Sequence, residues 1–166
     1  MMKKIAIIGI SGSGKSTLSR KIAEKTGLPV FHMDPLFWRG EWEEVPEEEY
    51  LVKHDELLKH DKWIIEGWID QKMADRLKQA DLVIDLNYSG LRCSLRLISR
   101  YLKHRKEARP ELPKGLVEEF LPKHWWKVLM RRERKDINDA LQFADKSKVV
   151  TINSPRELKL FLRDKF

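Results

Sequence analysis

Gly9-Ile10-Ser11-Gly12-Ser13-Gly14-Lys15-Ser16, followed by Thr17, is the stretch from which the fold of this 166-residue chain can be read. It fits G-x-x-x-x-G-K-[ST], the P-loop, and stands in the context that motif requires. The apolar run Ile5 to Ile10 leads in as a buried strand, and a helix-like stretch from Lys15 to Lys25 leads out. Glycines let the backbone turn so that successive N–H groups converge on phosphate oxygens, and the positive end of the following helix adds to that field. Gly9, Ser11, Gly12, Ser13, Gly14, Lys15, Ser16 and Thr17 are therefore the expected contacts of a nucleoside triphosphate, with ATP the expected cofactor. Lys15 is expected to reach the β- and γ-phosphates, and the Ser16 hydroxyl to ligate Mg2+. A plain Gly/Ser-rich turn is the rival reading, and eight matched positions between a strand and a helix weigh against it.

Length and composition suit one domain, 1–166, with a core of its own: 42% of the residues are hydrophobic. The single cysteine, Cys93, excludes an internal disulfide and offers nothing for a structural zinc site. It reads as a small buried hydrophobe in a reducing compartment. Met1-Met2-Lys3-Lys4 and the apolar run after it superficially resemble a signal peptide, but that run is short and ends in the glycine loop. No segment approaches the roughly 20 apolar residues of a membrane span. The expectation is a soluble cytoplasmic protein that does not engage membranes.

Apolar runs alternate with helical patterns, as in a parallel α/β sheet. The expected strands are Ile5–Gly9, Val30–His32, Trp63–Glu66, Leu82–Leu86 and Val149–Ile152. Gly27 and Pro29 stop the first helix, and Pro46 with three glutamates opens the next, whose inward face is Tyr50, Leu51, Leu57 and Leu58. His54 lies on that face and reads as a packed core histidine. Ser154-Pro155-Arg156-Glu157 reads as the cap and first turn of a C-terminal helix with Leu158, Phe161 and Leu162 inward.

The net charge of +7 is unevenly spread. Seven Lys/Arg face one acid between Arg92 and Arg109, and six face one between Lys123 and Lys135, whereas Glu41 to Glu49 holds six glutamates and no base. Three readings compete for the basic clusters: a lid that neutralises a triphosphate, a nucleic-acid surface, and solvated helix faces. The pattern predicts a helix from near Ser89 to about Lys106, with Leu91, Leu95, Ile98 and Leu102 inside and Arg92, Arg96, Arg100 and Lys103 on adjacent rows. Arg109-Pro110 and Leu112-Pro113 break it, and Pro122 opens a second long helix through Trp125, Leu129 and Ile137. Together they describe a hinged basic lid over about 89–145. Trp125-Trp126 reads as packing between the lid helices.

A P-loop also needs a carboxylate that orients the metal. Glu66, at the end of Trp63-Ile64-Ile65, is the favoured candidate and Asp85, after Leu82-Val83-Ile84, the alternative. Such a buried carboxylate is costly unless a cation or donors meet it.

These features resemble a known group. Gly12–Thr17, His32-Met33-Asp34, Leu36-Phe37-Trp38, Trp42, Trp63 to Gly67, Arg109-Pro110-Glu111-Leu112-Pro113 and Ser154-Pro155-Arg156-Glu157 resemble the adenylate-kinase-like branch of P-loop kinases. Within it the chain looks most similar to the DNA topology modulation protein family. The resemblance spans nearly the whole chain, and its specific part is the Trp-bearing segment at 32–42. It implies a P-loop NTPase fold with a five-stranded parallel sheet in the order 2-3-1-4-5 and helices on both faces. It also implies that Asp34 and the Phe37–Trp42 segment face a phosphate acceptor, and that Arg96 and Arg100 approach the transferring phosphoryl group, with Arg131 and Arg132 the next lid candidates. Glu66-Gly67-Trp68-Ile69-Asp70 stands where adenylate kinases have Asp followed by Gly-Phe-Pro-Arg, so the arginine that grips a nucleoside monophosphate is missing and Arg76 is the candidate substitute. The scaffold of a kinase is thus implied, and adenylate kinase activity is not.

Asp34 follows a short strand at the carboxyl edge, where α/β proteins bind ligands, and could accept a hydrogen bond from an acceptor hydroxyl. Its bland reading is a turn residue before Pro35. Trp38 and Trp42 could stack on a flat substrate or simply pack. The expected function is an ATP- and Mg2+-dependent phosphotransferase acting on a small molecule, with Lys15, Asp34, Arg96 and Arg100 catalytic and Ser16 and Glu66 on the metal. The alternative is a nucleotide-gated nucleic-acid-binding protein. No heptad or apolar strip demands a partner, so a monomer or weak homodimer is expected.

Overall fold

Apolar strands buried on both faces need helices to cover them, and this sheet is built that way. The computed structural model describes residues 2–38, 43–104 and 121–166. Strands β1 (Lys4–Gly9), β2 (Val30–His32), β3 (Trp63–Glu66), β4 (Leu82–Leu86) and β5 (Val149–Ile152) form one all-parallel sheet in the order β2-β3-β1-β4-β5. The central strands carry unbroken runs such as Ile5-Ala6-Ile7-Ile8 and Ile64-Ile65, all fully buried, while the edge strands β2 and β5 are half-buried. Helices α1 (Lys15–Thr26), α2 (Asp34–Phe37), α3 (Glu47–Leu58), α4 (Asp75–Gln79), α5 (Gly90–His104), α6 (Pro122–Leu129), α7 (Glu133–Leu141) and α8 (Pro155–Lys165) connect and cover the strands. The expected strands and sheet order are those observed.

Local signals account for the helix ends. Gly27 closes α1 in the left-handed conformation, its N–H donating to the Ala23 carbonyl. Ser154 caps α8 by accepting from the Glu157 N–H, and Glu157 answers by accepting from Ser154 Oγ and the Asn153 N–H. On α3, Tyr50, His54 and Leu58 are buried; burial holds the His54 imidazole below its ordinary value, as does the Arg76 charge, with Asp55 opposing.

Two helical expectations are corrected. On α5 the face expected inside points outward: Leu91, Leu95 and Leu102 are each more than half exposed, whereas Gly90, Cys93, Ser94 and Leu97 are buried. The inward row is set by close approach. A Cβ on Gly90 would lie 2.0 Å from the Leu129 carbonyl oxygen of α6, so a larger residue cannot face that helix. Small residues, with Leu97, therefore form the side of α5 that packs. The second correction concerns the long helix opened by Pro122. It is interrupted after Leu129, where Arg131 takes a left-handed φ of 53°, and resumes as α7. The reversal lets Arg131 Nη2 donate to Asn87 Oδ1, a tertiary bond invisible to helical periodicity. Trp126 is half exposed and is not interior packing. Trp42 and the Arg109–Pro113 breakers lie outside the described residues.

Gly12 carries the tightest constraint of the loop. Its φ of +75° disfavours any side chain, and a Cβ there would stand 2.5 Å from the Cys93 carbonyl oxygen of α5. Gly12→Ala is expected to lower stability by about 2 kcal/mol, which for a chain of this length lowers the thermal midpoint by roughly 4–8 °C in a calorimetric scan.

Candidate active site

The carboxyl ends of β1, β3 and β4, the side on which open α/β sheets bind ligands, converge at the glycine loop. Lys15, 8% exposed, folds back over the loop, its Nζ donating to the carbonyls of Gly9 at 3.0 Å and Ile10 at 3.2 Å. Behind it, Ser16 Oγ donates to Glu66 Oε1 at 3.0 Å. His32 Nδ1 lies 2.5 Å from the same oxygen. Glu66 is 1% exposed, and its second oxygen, Oε2, is buried with no hydrogen-bond partner. Burial pushes the Glu66 carboxyl up, but the His32 bond, the Lys15 charge and the Ser16 bond outweigh it and hold the group below the ordinary glutamate value. It is an ionised carboxylate with one acceptor unused.

Strand register separates the two candidate carboxylates. Both β3 and β4 flank β1, so adjacency does not choose between them. Glu66 pairs with Ile7 and Asp85 with Ile8, consecutive residues whose side chains point to opposite faces. Glu66 thus shares its face with His32, its register partner on β2. Asp85, fully buried on the other face, is held by Arg134 through two bonds, Nη1 to Oδ1 at 2.6 Å and Nη2 to Oδ2 at 2.7 Å. With both oxygens occupied by one guanidinium, Asp85 has the environment of a structural ion pair.

The basic insert reaches the loop from one side. Arg96 Nη1 donates to the Ser13 carbonyl at 2.8 Å while its guanidinium lies over the Tyr88 ring, 5.2 Å from the centroid. Cys93, fully buried, backs Gly12, and burial pushes its thiol up. At the start of α7 the Glu133 carboxylate takes the Ser11 N–H at 2.7 Å and the Ser11 hydroxyl at 3.0 Å, so a carboxylate already sits on the loop as an anion would. Arg100 is on α5, and Arg132, exposed, is in the turn before α7. Arg131 engages Asn87.

Asp34 opens α2, half-buried, with Pro35 next to it. Trp38 meets Phe37 edge-on and pairs with Glu44 in an isolated antiparallel bridge. Beneath this end lies Arg76, fully buried, with Nη2 donating to the Trp68 carbonyl at 2.8 Å and Nε and Nη1 unpartnered. Burial lowers its pKa to about 10, against the opposing charges of Tyr50, Glu66, Asp70 and Asp34. The Tyr50 hydroxyl is pushed up to about 12, chiefly by burial.

The site therefore brings Gly9, Ser11, Gly12, Ser13, Gly14, Lys15, Ser16, Glu66 and Arg96 together at one sheet edge. His32, Glu133 and Arg134 were not anticipated. His32 carried a signal, since it ends β2 at a spacing that sets it beside Glu66 in a parallel sheet; Glu133 and Arg134 sit in a charge run and carried none.

Ser16 and Glu66 are the pair that could hold a metal. Both offer hard oxygen donors suited to Mg2+, and the orphaned Oε2 is an acceptor that a metal-bound water would complete. Among the described residues no group of three or more His, Cys, Asp or Glu could hold a metal alone, so phosphate and water oxygens would have to supply the other ligands. Also among the described residues, no helix is long and apolar enough to cross a membrane.

Sheet order, loop and covering helices are those of the P-loop kinase fold. No family model and no curated protein matches the sequence. Among solved structures the chain is similar to a gluconokinase from Sinorhizobium meliloti 1021, at 16% identity over 98% of this chain and 88% of that one, TM-score 0.57. It is also similar to shikimate kinase from Acinetobacter baumannii in complex with shikimate, at 18% identity over 100% and 96%, TM-score 0.56. Shikimate kinase from Bacteroides thetaiotaomicron gives 15% identity over 99% and 96%, TM-score 0.64. At these identities the likeness establishes the fold.

If Asp85 is structural, Asp85→Asn leaves Arg134 facing an uncharged partner inside the sheet edge. Breaking a buried pair in this way is expected to lower stability by about 3 kcal/mol, measured by urea unfolding.

Proposed function

We propose that this chain is an ATP-dependent phosphotransferase that moves the terminal phosphoryl group of ATP to a hydroxyl of a small-molecule acceptor. The observation that carries the reading is the Ser16–Glu66–His32 cluster behind the glycine loop, with an ionised, buried carboxylate oxygen left without a partner beside the motif lysine. A structural turn has no need of such a group, and burying it unmatched is costly.

In this reading the loop amides and Lys15 hold the phosphate chain, while Ser16 and Glu66 hold Mg2+, which when bound neutralises phosphate charge. Asp34 accepts the proton of the acceptor hydroxyl; the oxygen–phosphorus bond to the acceptor forms as the bond to the β-phosphate oxygen breaks, leaving ADP. Arg96 and Arg100 meet the charge spreading over the transferring group. Arg96, which donates to the Ser13 carbonyl of the loop, supports a lid over a nucleotide, while Arg131 and Arg134 are engaged by Asn87 and Asp85. The solved neighbours include a gluconokinase and a shikimate kinase in complex with shikimate, so small hydroxylated metabolites are the first acceptors to screen. The resemblance to the topology modulation proteins supports the same scaffold, through the segment around Asp34 and Trp38.

Calorimetry of the wild-type chain with ATP is expected to show uptake that depends on Mg2+, lost in Lys15→Ala; the reading falls if no such uptake occurs. Glu66→Gln is expected to raise the Mg2+ concentration required at least about tenfold. Once thermal-shift screening has identified an acceptor, Arg100→Ala is expected to slow turnover by about a hundredfold or more. Unchanged turnover in that variant would remove Arg100 from the lid chemistry.

A further inference from the structure

The carboxylate on the phosphate loop has a consequence for what the loop selects. Glu133 presents both oxygens to one residue, Oε2 to the Ser11 N–H at 2.7 Å and Oε1 to the Ser11 hydroxyl at 3.0 Å. The side chain is held there from both sides: Arg131, two residues earlier, is bonded to Asn87, and Arg134, next along α7, is locked to Asp85. Ser11 marks a particular end of the loop. The Lys15 ammonium lies against the carbonyls of Gly9 and Ile10, immediately before Ser11. A P-loop lysine reaches the β- and γ-phosphates, whereas the loop N–H groups running into the positive end of the following helix cradle the α- and β-phosphates. Glu133 therefore stands at the terminal-phosphate end and leaves the start of α1 open.

We propose that Glu133 lowers the preference of this loop for nucleoside triphosphates over diphosphates, by occupying the terminal-phosphate position as an internal carboxylate. A ligand with a terminal phosphate must displace Glu133 and then bear its charge nearby, whereas a diphosphate seated on the start of α1 leaves both bonds in place. The wild-type chain thus binds triphosphate more weakly than its loop permits. After transfer, Glu133 can return to Ser11 once the terminal phosphoryl group has gone. This inference rests on the nucleotide-binding reading of the loop.

The test is calorimetry of the full chain with Mg2+ and either ADP or a non-hydrolysable imido analogue of ATP, on wild type, Glu133→Gln and Glu133→Ala. Asp136→Asn, the same change of charge one turn along α7, is the control, and thermal midpoints verify that each variant is folded. Losing a charge-assisted contact that competes with the ligand is expected to tighten the triphosphate analogue about tenfold in Glu133→Ala. ADP is expected to shift by less than about twofold, and Asp136→Asn to change neither; Glu133→Gln, which keeps an acceptor for Ser11, is expected to fall between. Equal tightening of both nucleotides, or tightening in Asp136→Asn, would reduce the effect to general charge and overturn the proposal. Unchanged or weaker triphosphate binding would overturn it too, since Glu133 would then support the loaded loop. Wild-type chain that binds neither nucleotide would instead sink the nucleotide reading itself, and this inference with it.

Discussion

One buried negative charge organises this molecule. Glu66 ends a strand that is otherwise wholly apolar, and an ionised carboxylate there is tolerated only because groups from two other segments meet it. His32 comes from β2, and Ser16 and the Lys15 charge both come from the first turn of α1. The convergence depends on register: Glu66 is opposite Ile7 on one side and His32 on the other. A slip of one residue would turn the carboxylate to the opposite face, away from His32, Ser16 and Lys15. The fold and the candidate site are thus held by the same alignment of three strands.

Asp85 shows the same chemistry resolved differently. It lies one residue before the end of the other strand beside β1, one register step further on, and faces the opposite side. There a bidentate guanidinium takes both of its oxygens, leaving nothing for a ligand. Of two buried carboxylates at the same sheet edge, one is closed by Arg134 and one keeps an unused oxygen. That difference in hydrogen-bond completeness, more than position in the sheet, separates a structural role from a candidate functional one.

The same Arg134 ties the helical insert to the sheet, and the ties are numerous at the loop. Arg96 reaches the Ser13 carbonyl, Cys93 backs Gly12, and Glu133 covers Ser11. Any ligand entering the loop meets groups from α5 and α7 as well as from the loop. In a basic segment that in sequence reads as a lid, a solvated face or a nucleic-acid surface, Arg96 bonds the Ser13 carbonyl of the loop and Arg131 and Arg134 bond Asn87 and Asp85.

Much of this was legible without coordinates where the signal is local. Every strand, the stop of α1 at Gly27, the Pro46 entry of α3 and the Ser154 cap follow from short-range steric and hydrogen-bonding preferences that neighbouring residues express by themselves. The loop was legible for the same reason, since its glycines, lysine and serine act within eight consecutive residues. The inward face of α5 was not, because Leu91, Leu95 and Leu102 point out and the packing row is chosen by the approach of α6 to Gly90 and of the loop to Cys93. The break at Arg131, the pairing of Arg134 with Asp85, the His32 bond to Glu66 and the seat of Glu133 on Ser11 join residues 34 to 122 positions apart. The sequence alone determined a phosphate-type loop on a parallel α/β sheet, since those rest on local backbone chemistry. Which carboxylate stays open, which arginines turn inward and what covers the loop were decided only by the tertiary structure, because each depends on distant strands and helices being brought into register.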